Sequence, residues 1–174
     1  MALSKILPAA FSTGAVLQVK YTQFTSTNVV ALSALTDTPL TDLTVSIIPT
    51  ATNSKILLQA HVFGEHSVST DNQWDHMFFF YRDTTKLGAP SAGNRKTGVS
   101  MATITLHNEN NSTPEVARFD YFDEPNTTSA ITYKVGMIAA SAENWALNRS
   151  NYDTDVATSY ERGTSFISAT EIAG

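Results

Sequence analysis

The sequence predicts an all-β protein, an antiparallel β-sandwich or jelly roll, and three observations support this fold class. Serine and threonine together outnumber the charged residues, which make up 16% of the chain, as is common in β-rich proteins with polar, uncharged surfaces. Apolar and polar residues alternate in short segments that turn-forming residues separate. No stretch of ten or more residues places apolar side chains at helical spacing. Short strands without intervening helices therefore organise the chain.

The predicted strands follow one another from residue 14 to the end of the sequence. In the first, GAVLQVKYTQF, Leu17 and Val19 share one face, and Gln18 and Lys20 lie on the other. Later segments alternate in the same way, and clusters of turn formers such as NENNSTP lie between them. Strands are therefore expected at residues 14–24, 43–49, 54–64, 76–82, 99–107, 115–123, 130–140 and 164–172.

Length, charge and cysteine content restrict the class of protein. The 174 residues suffice for one domain with a sizeable core. A net charge of −5 argues against a nucleic-acid partner, because phosphate binding requires clustered lysine and arginine. The chain has no cysteine, which excludes disulfides, thiol catalysis and cysteine-ligated metals. No segment approaches the ~20 apolar residues of a membrane span, so membrane insertion is not expected.

The first 13 residues are expected to form an N-terminal docking arm, followed by a single domain over residues 14–174. Ser4, Lys5 and Pro8 interrupt the apolar residues of the arm, which therefore lacks the continuous apolar run of a signal peptide. A short apolar arm needs a partner surface in order to become ordered. The side chains expected to dock are Leu3, Ile6, Leu7 and Phe11.

The segment HMFFFYR does not alternate, and this pattern requires both faces of its strand to be hidden from water. The core of a sandwich can cover only one of these faces. Either a neighbouring subunit or a loop of the same chain must cover the other. The candidate interface residues on this strand are Met77, Phe78, Phe79, Phe80 and Tyr81. Tyr133 and Met137 are second candidates that fit an ordinary core position equally well.

Five residues with metal-binding side chains fall within sixteen positions. Their spacing does not place two imidazoles on one helical turn, as zinc-enzyme motifs require. We therefore expect polar surface or loop residues and no metal site or cofactor. The five residues are His61, Glu65, His66, Asp75 and His76; the isolated His107 is interpreted as an exposed strand end.

Acidic residues form two clusters, FDYFDEP and NYDTD. Two carboxylates across a groove could hydrolyse a glycan, but nothing in the sequence brings these clusters together. Turn formation explains them, since aspartate and asparagine bond their own backbone in loops. No serine nucleophile or glycine-rich phosphate loop stands out, so no enzyme is expected. The carboxylates concerned are Asp120, Asp123, Glu124, Asp153 and Asp155.

Six segments follow one another in a distinctive order: GAVLQV, SIIPTATNSKILLQAHVFG, FFFYRDTTKLG, FDEPNTTSAITYKV, NRSNYDTD and TSFISATEIAG. This order resembles a family of small virion proteins of tailed bacteriophages, found in fibres, tails or capsids. The resemblance covers about residues 14–174, although YRDTTKLGAPSAGNRKTG is longer and more basic than the family pattern. It implies a trimeric jelly roll like that of the tumour necrosis factor family. It therefore favours a subunit as the cover of the aromatic strand.

Two functions follow from the sequence. The first is a non-enzymatic structural component of the virion, a homotrimer that docks on other virion proteins through its arm and presents loops outward for host attachment. The alternative is a carbohydrate-binding β-sandwich module in which exposed aromatic rings stack on the sugars of a surface glycan. The candidate glycan contacts are Trp74, Trp145 and Tyr152, with Tyr81 as a further platform.

Overall fold

A computed structural model describes residues 12–67, 75–101 and 112–174, and these residues form ten strands with no helix among them. No helix of the described part is long and apolar enough to cross a membrane. The strands are β1 (Val16–Phe24), β2 (Asn28–Leu32), β3 (Thr38–Ile47), β4 (Lys55–His66), β5 (His76–Arg82), β6 (Thr85–Leu87), β7 (Glu115–Asp123), β8 (Ile131–Ala139), β9 (Glu143–Leu147) and β10 (Ser165–Ile172).

The strands form two antiparallel sheets. The first sheet has the order β1-β10-β4-β9-β2, and β7 pairs with the other edge of β4. The second sheet has the order β3-β8-β5-β6. The prediction of an all-β protein with antiparallel sheets is therefore confirmed.

The ten strands of the described residues pair in a nested sequence. The innermost pair is β5 with β6, which forms a hairpin, and outside it β4 pairs with β7. Further out, β3 pairs with β8, β2 with β9 and β1 with β10. The chain thus follows a long two-stranded ribbon that has been folded back over itself.

One hydrophobic core lies between the two sheets, in a sandwich-like arrangement. Alternation determines which side chains enter it: in β4, every second residue from Ile56 to Val62 is buried. A register shift in β3 lets both Leu40 and Leu43 point inward, although three positions separate them. Tyr133 and Trp145 are the largest side chains with no exposed surface.

The expected strands agree with the observed ones over most of their length, with three additions and one exception. β2, β6 and β9 were not predicted. The expected strand 99–107 lies mostly outside the described residues, and within them Ser100 forms only an isolated bridge with Phe78. The expected docking arm, residues 1–13, lies outside the described residues up to position 11.

Candidate functional site

The second face of the aromatic strand β5 is covered by the same chain. Phe79 points away from the core, yet none of its surface is exposed. Its ring lies over Gly136 on β8, where a Cβ atom would overlap it, and packs against Tyr81 with ring centroids 5.1 Å apart. The Lys86 ammonium nitrogen lies 4.1 Å from the Phe79 ring centroid, at the distance of a cation–π contact. Tyr81 on β5, Lys86 on β6 and the backbone of β8 at Gly136 therefore cover the Phe79 ring.

This cover changes the set of residues that could contact a neighbouring subunit through β5. Phe78, Phe80, Tyr133 and Met137 have no exposed surface and belong to the core, because alternation turns them toward the first sheet. They cannot contact a partner while the sandwich is intact, and the same holds for the covered Phe79. Of the seven expected interface residues, only the half-buried Met77 and Tyr81 retain accessible surface.

The expected glycan contacts differ in their position. Trp145 has no exposed surface; its ring packs edge-on against Phe78, with centroids 5.4 Å apart, so it cannot stack on a sugar. Tyr152 is 55% exposed on the loop between β9 and β10. Trp74 and the arm residues Leu3, Ile6, Leu7 and Phe11 lie outside the described residues.

A buried cluster of two histidines and two glutamates lies where β4 ends and β5, β7 and β9 begin. The His66 Nε2 atom is 3.2 Å from Glu115 Oε1, and the His76 Nε2 atom is 3.7 Å from Glu115 Oε2. Glu143 is 8% exposed, and the other three side chains are exposed by 3% or less. The interpretation of His66 and His76 as surface or loop residues was therefore wrong. Pairing between strands that are distant in the sequence brings His66 and His76 into the interior.

The environment of His66 and Glu143 raises the pKa values of these two groups and so favours a bound proton on each. Burial tends to lower the pKa of His66, but the hydrogen bond to Glu115 and the charges of Glu115, Glu143 and Glu65 outweigh it and raise this pKa. Burial raises the pKa of Glu143 to about 7; the charge of Glu115 adds to this rise and that of His66 opposes it. Glu143 is thus a carboxyl group that remains partly protonated at neutral pH.

The other residues considered as metal ligands, Glu65, His61 and Asp75, do not belong to this cluster. Glu65 is buried, but its carboxylate accepts the backbone N–H of Asn151 at 2.6 Å and that of Thr113 at 3.2 Å, so it connects two loops. His61 lies on the outer face of β4, where its ring stacks on Phe166 with centroids 5.9 Å apart. Asp75 precedes β5, and His107 lies outside the described residues. Within residues 12–67, 75–101 and 112–174, no group of three such side chains is arranged to hold a metal ion.

The carboxylates at the end of β7 have structural partners. Asp123 is buried, accepts hydrogen bonds from Arg82 Nη1 at 2.9 and 3.2 Å, and accepts one from the Tyr133 hydroxyl at 2.7 Å. Asp120 is exposed on the opposite face of the strand, and Glu124 pairs with Lys55 at 3.3 Å. Asp120 and Asp123 therefore do not form a pair of carboxylates on one face.

The second acidic segment lies in the loop between β9 and β10, which encloses an open groove of about 570 Å³. Arg162 binds Asp153 through two hydrogen bonds of 2.7 and 3.0 Å. At the base of the loop, the Ser150 N–H donates to the Glu161 carbonyl at 3.0 Å, and the Glu161 N–H donates to the Ser150 hydroxyl at 2.9 Å. Asp155, Tyr160 and Arg162 are among the residues that line the groove, which is a polar concavity on a loop with a fixed base.

Glu171 is a further buried carboxylate, and its burial was not anticipated from the sequence. One of its carboxylate oxygens accepts hydrogen bonds from the Thr50 backbone N–H, the Thr50 hydroxyl and the Ser54 hydroxyl at 2.6–2.7 Å. The other oxygen accepts one from the Gln18 side-chain amide at 2.7 Å. Burial tends to raise the pKa of Glu171, but these hydrogen bonds outweigh it and lower this pKa. The available signal was alternation, which places Glu171 on the inward face with Ile167 and Ala169.

Comparison with known proteins gives no assignment. No protein-family model matches the chain, and no curated protein matches it either.

Proposed function

We propose that this protein is a non-enzymatic structural component of a tailed-phage virion, built as a homotrimeric jelly roll. The observation that carries the proposal is the nested pairing of β5 with β6, β4 with β7, β3 with β8 and β1 with β10. A ribbon of antiparallel strands folded into two sheets is typical of a jelly roll, a fold common in viral capsid proteins. The resemblance of the segment order to phage virion proteins points in the same direction.

The chemistry of the buried charges also supports a structural role. The Glu171 carboxylate accepts four hydrogen bonds from its own chain and the Asp123 carboxylate accepts three, so both groups hold neighbouring strands and loops together. The ends of the strands are thus fixed by polar networks. A rigid unit of this kind suits repeated packing in a particle.

The position of the chain ends supports docking through residues 1–13. The Gly14 N–H donates to the Ala173 carbonyl at 2.8 Å, and the Ala173 N–H donates to the Ala15 carbonyl at 2.8 Å. These bonds fix the point at which the chain enters β1, on the edge of the first sheet. An arm that precedes this point can reach a neighbour without disturbing the core, and the arm is proposed to bind another virion protein.

The direct test is to locate the protein on the particle. Gold-labelled antibodies against residues 14–174 should decorate purified virions at regular positions in electron micrographs. The protein without residues 2–13 should fold, as judged by circular dichroism, and should be absent from particles assembled in its presence. Virions that carry no label, or that incorporate the truncated chain as well as the full chain, would contradict the proposal.

The groove of the β9–β10 loop favours carbohydrate binding as a second candidate. It combines a tyrosine, carboxylates and a guanidinium group, which can stack on and hydrogen-bond to a sugar. Tyr152 lies exposed on the same loop. Calorimetric titration with purified surface polysaccharide of the host should then show binding that both Tyr152→Ala and Tyr160→Ala weaken. Unchanged binding in both variants would remove this candidate.

A further inference from the structure

The outer face of the first sheet carries an exposed apolar strip across four adjacent strands. The strand register aligns Val19 of β1 with Thr170 of β10, Thr170 with Leu57 of β4, and Leu57 with Phe122 of β7. Val19 is 53% exposed and Phe122 58% exposed, and Leu57 between them is half-buried. Leu57 and Phe122 are thus direct neighbours, and the polar Thr170 lies between Leu57 and Val19. Large apolar side chains are grouped on this face instead of being scattered singly.

The strip continues along β1 and β10. At one end, Val16 is 58% exposed and pairs with the half-buried Ile172. On the other side, Tyr21 is 72% exposed and lies beside Ser168. The small side chains of Thr170 and Ser168 lie between these apolar residues on β10.

Among residues 12–67, 75–101 and 112–174, the outer face of the second sheet offers no comparable strip. There the Lys86 side chain covers Phe79 and is itself paired with Asp37 at 2.7 Å. The neighbouring outward positions on β8 are Thr132 and Lys134, both polar. The chain therefore covers the apolar groups of one sheet and leaves those of the other exposed.

We propose that the strip on the first sheet, formed by Val16, Val19, Tyr21, Leu57, Phe122 and Ile172, is the surface through which copies of this chain associate. The inference rests on the proposed function, since it identifies the interface of the proposed homotrimer. As the candidate interface, this strip replaces the outer face of β5, where the chain itself already covers Phe79. Tyr21 and Phe122 lie on the two outer strands of this surface, β1 and β7, and aromatic residues of these types are enriched at protein interfaces.

The charges around the strip favour a second copy as the occupant. On one side Lys55 pairs with Glu124, and on the other side Arg118 and Asp120 occupy the next outward positions of β7. Burial, and then the charge of Arg118, lower the pKa of His61, so this neighbour adds no charge at neutral pH. The rim is thus balanced in charge within a chain of net charge −5. Copies of this chain can bring this face together without net repulsion, and a polyanion or an acidic membrane gains nothing from it.

The test is the mass of the protein in solution after one aspartate is placed on the strip. Phe122→Asp is the principal variant, and Ile48→Asp is the matched control, because Ile48 is 60% exposed just beyond the end of β3 on the second sheet. Sedimentation equilibrium at micromolar concentration should give an oligomer for the wild type and for Ile48→Asp. Phe122→Asp should fall to the mass of one chain, a threefold loss from a trimer. Its circular dichroism should remain that of the wild type.

Each other outcome has a definite meaning. If Phe122→Asp does not fold, Tyr21→Asp serves instead, since Tyr21 is the more exposed residue and lies on an edge strand. An oligomer that survives both substitutions overturns the inference about the face and leaves the proposed function standing. A wild type that is monomeric, and that associates only after residues 2–11 are deleted, would show that the arm of the same chain covers the strip. That result also overturns the inference, whereas labelling of virions tests the function separately.

Discussion

Glu171 and Glu143 are buried carboxyl groups near opposite ends of the sandwich, and their pKa values move in opposite directions. Four hydrogen bonds from Gln18, Thr50 and Ser54 stabilise the ionised form of Glu171, so its pKa is lowered despite burial. Burial dominates at Glu143, whose pKa rises to about 7. The comparison shows that burial alone does not determine the charge of a group in this protein. The hydrogen-bond donors that surround a carboxyl group also determine whether it is ionised.

The stability that the ionisable groups contribute therefore changes with pH in opposite directions at the two ends. The pKa of Glu171 is lowered on folding, so its stabilisation is present above its unfolded value and is lost as pH falls through the folded one. The pKa values of Glu143 and His66 are raised on folding. Stability from these groups is present below their unfolded pKa values and declines as pH rises through the folded ones. For Glu143 this decline falls between about pH 4.5 and pH 7.

The largest effect is expected from removing the carboxylate that is fully bonded. Glu171→Ala removes the shared acceptor of Thr50 and the buried Ser54, and one of the two acceptors of the Gln18 amide. We expect it to lower the free energy of unfolding by about 4 kcal/mol in urea titrations at pH 7, since several charge-assisted hydrogen bonds are lost together. Thr170→Ala, which changes the adjacent outward side chain, should cost less than about 1 kcal/mol. Equal losses in the two variants would contradict the role given to the network.

A smaller effect, of opposite sign, is expected at the other end. Glu143→Gln removes the cost of ionising a buried carboxyl group, so it should stabilise the protein at pH 8 by up to about 3 kcal/mol, at roughly 1.4 kcal/mol per pKa unit. At pH 5, where Glu143 is protonated in the folded protein, the substitution should change little. The measurement is the difference in unfolding free energy between variant and wild type at the two pH values. A difference that does not depend on pH would show that Glu143 titrates normally.

The smallest effect is expected at Tyr133, whose hydroxyl donates to Asp123 beside the Glu171 network. Tyr133→Phe keeps the buried ring and removes one of three hydrogen bonds to that carboxylate, because Arg82 still supplies two. The expected loss in the free energy of unfolding is about 1 kcal/mol. Burial and then the hydrogen bond to Asp123 strongly raise the pKa of Tyr133, so its ring should not ionise in alkaline spectrophotometric titration of the folded protein. Ionisation at an ordinary pH would contradict the buried bond.

Alternation made much of the fold predictable. β4, β7, β8 and β10 each carry apolar residues at every second position, and all four were predicted within a few residues. The short strands β2, β6 and β9 were missed because they have three to five residues each, too few to show a period. The β3 irregularity, which turns both Leu40 and Leu43 inward, has no local signature either.

The buried networks were less predictable, since they depend on which strands pair. His66, His76, Glu115 and Glu143 come together only through the register of strands that lie far apart in the sequence. The cover of Phe79 likewise depends on Gly136 lying opposite it on β8. Alternation predicted that one set of the β5 side chains points outward. It could not show that Lys86 and Tyr81 would cover Phe79 from within the same chain.

The central claim is that this sandwich is a building block that associates with copies of itself, and the mass of the wild-type protein in solution tests it most directly. Light scattering coupled to size-exclusion chromatography at micromolar concentration should give three times the 18.9 kDa of one chain. A trimer is the predicted result, and dilution should not dissociate it at once if, as proposed, an apolar strip of large side chains is buried between the copies. A stable monomer of 18.9 kDa would contradict the account.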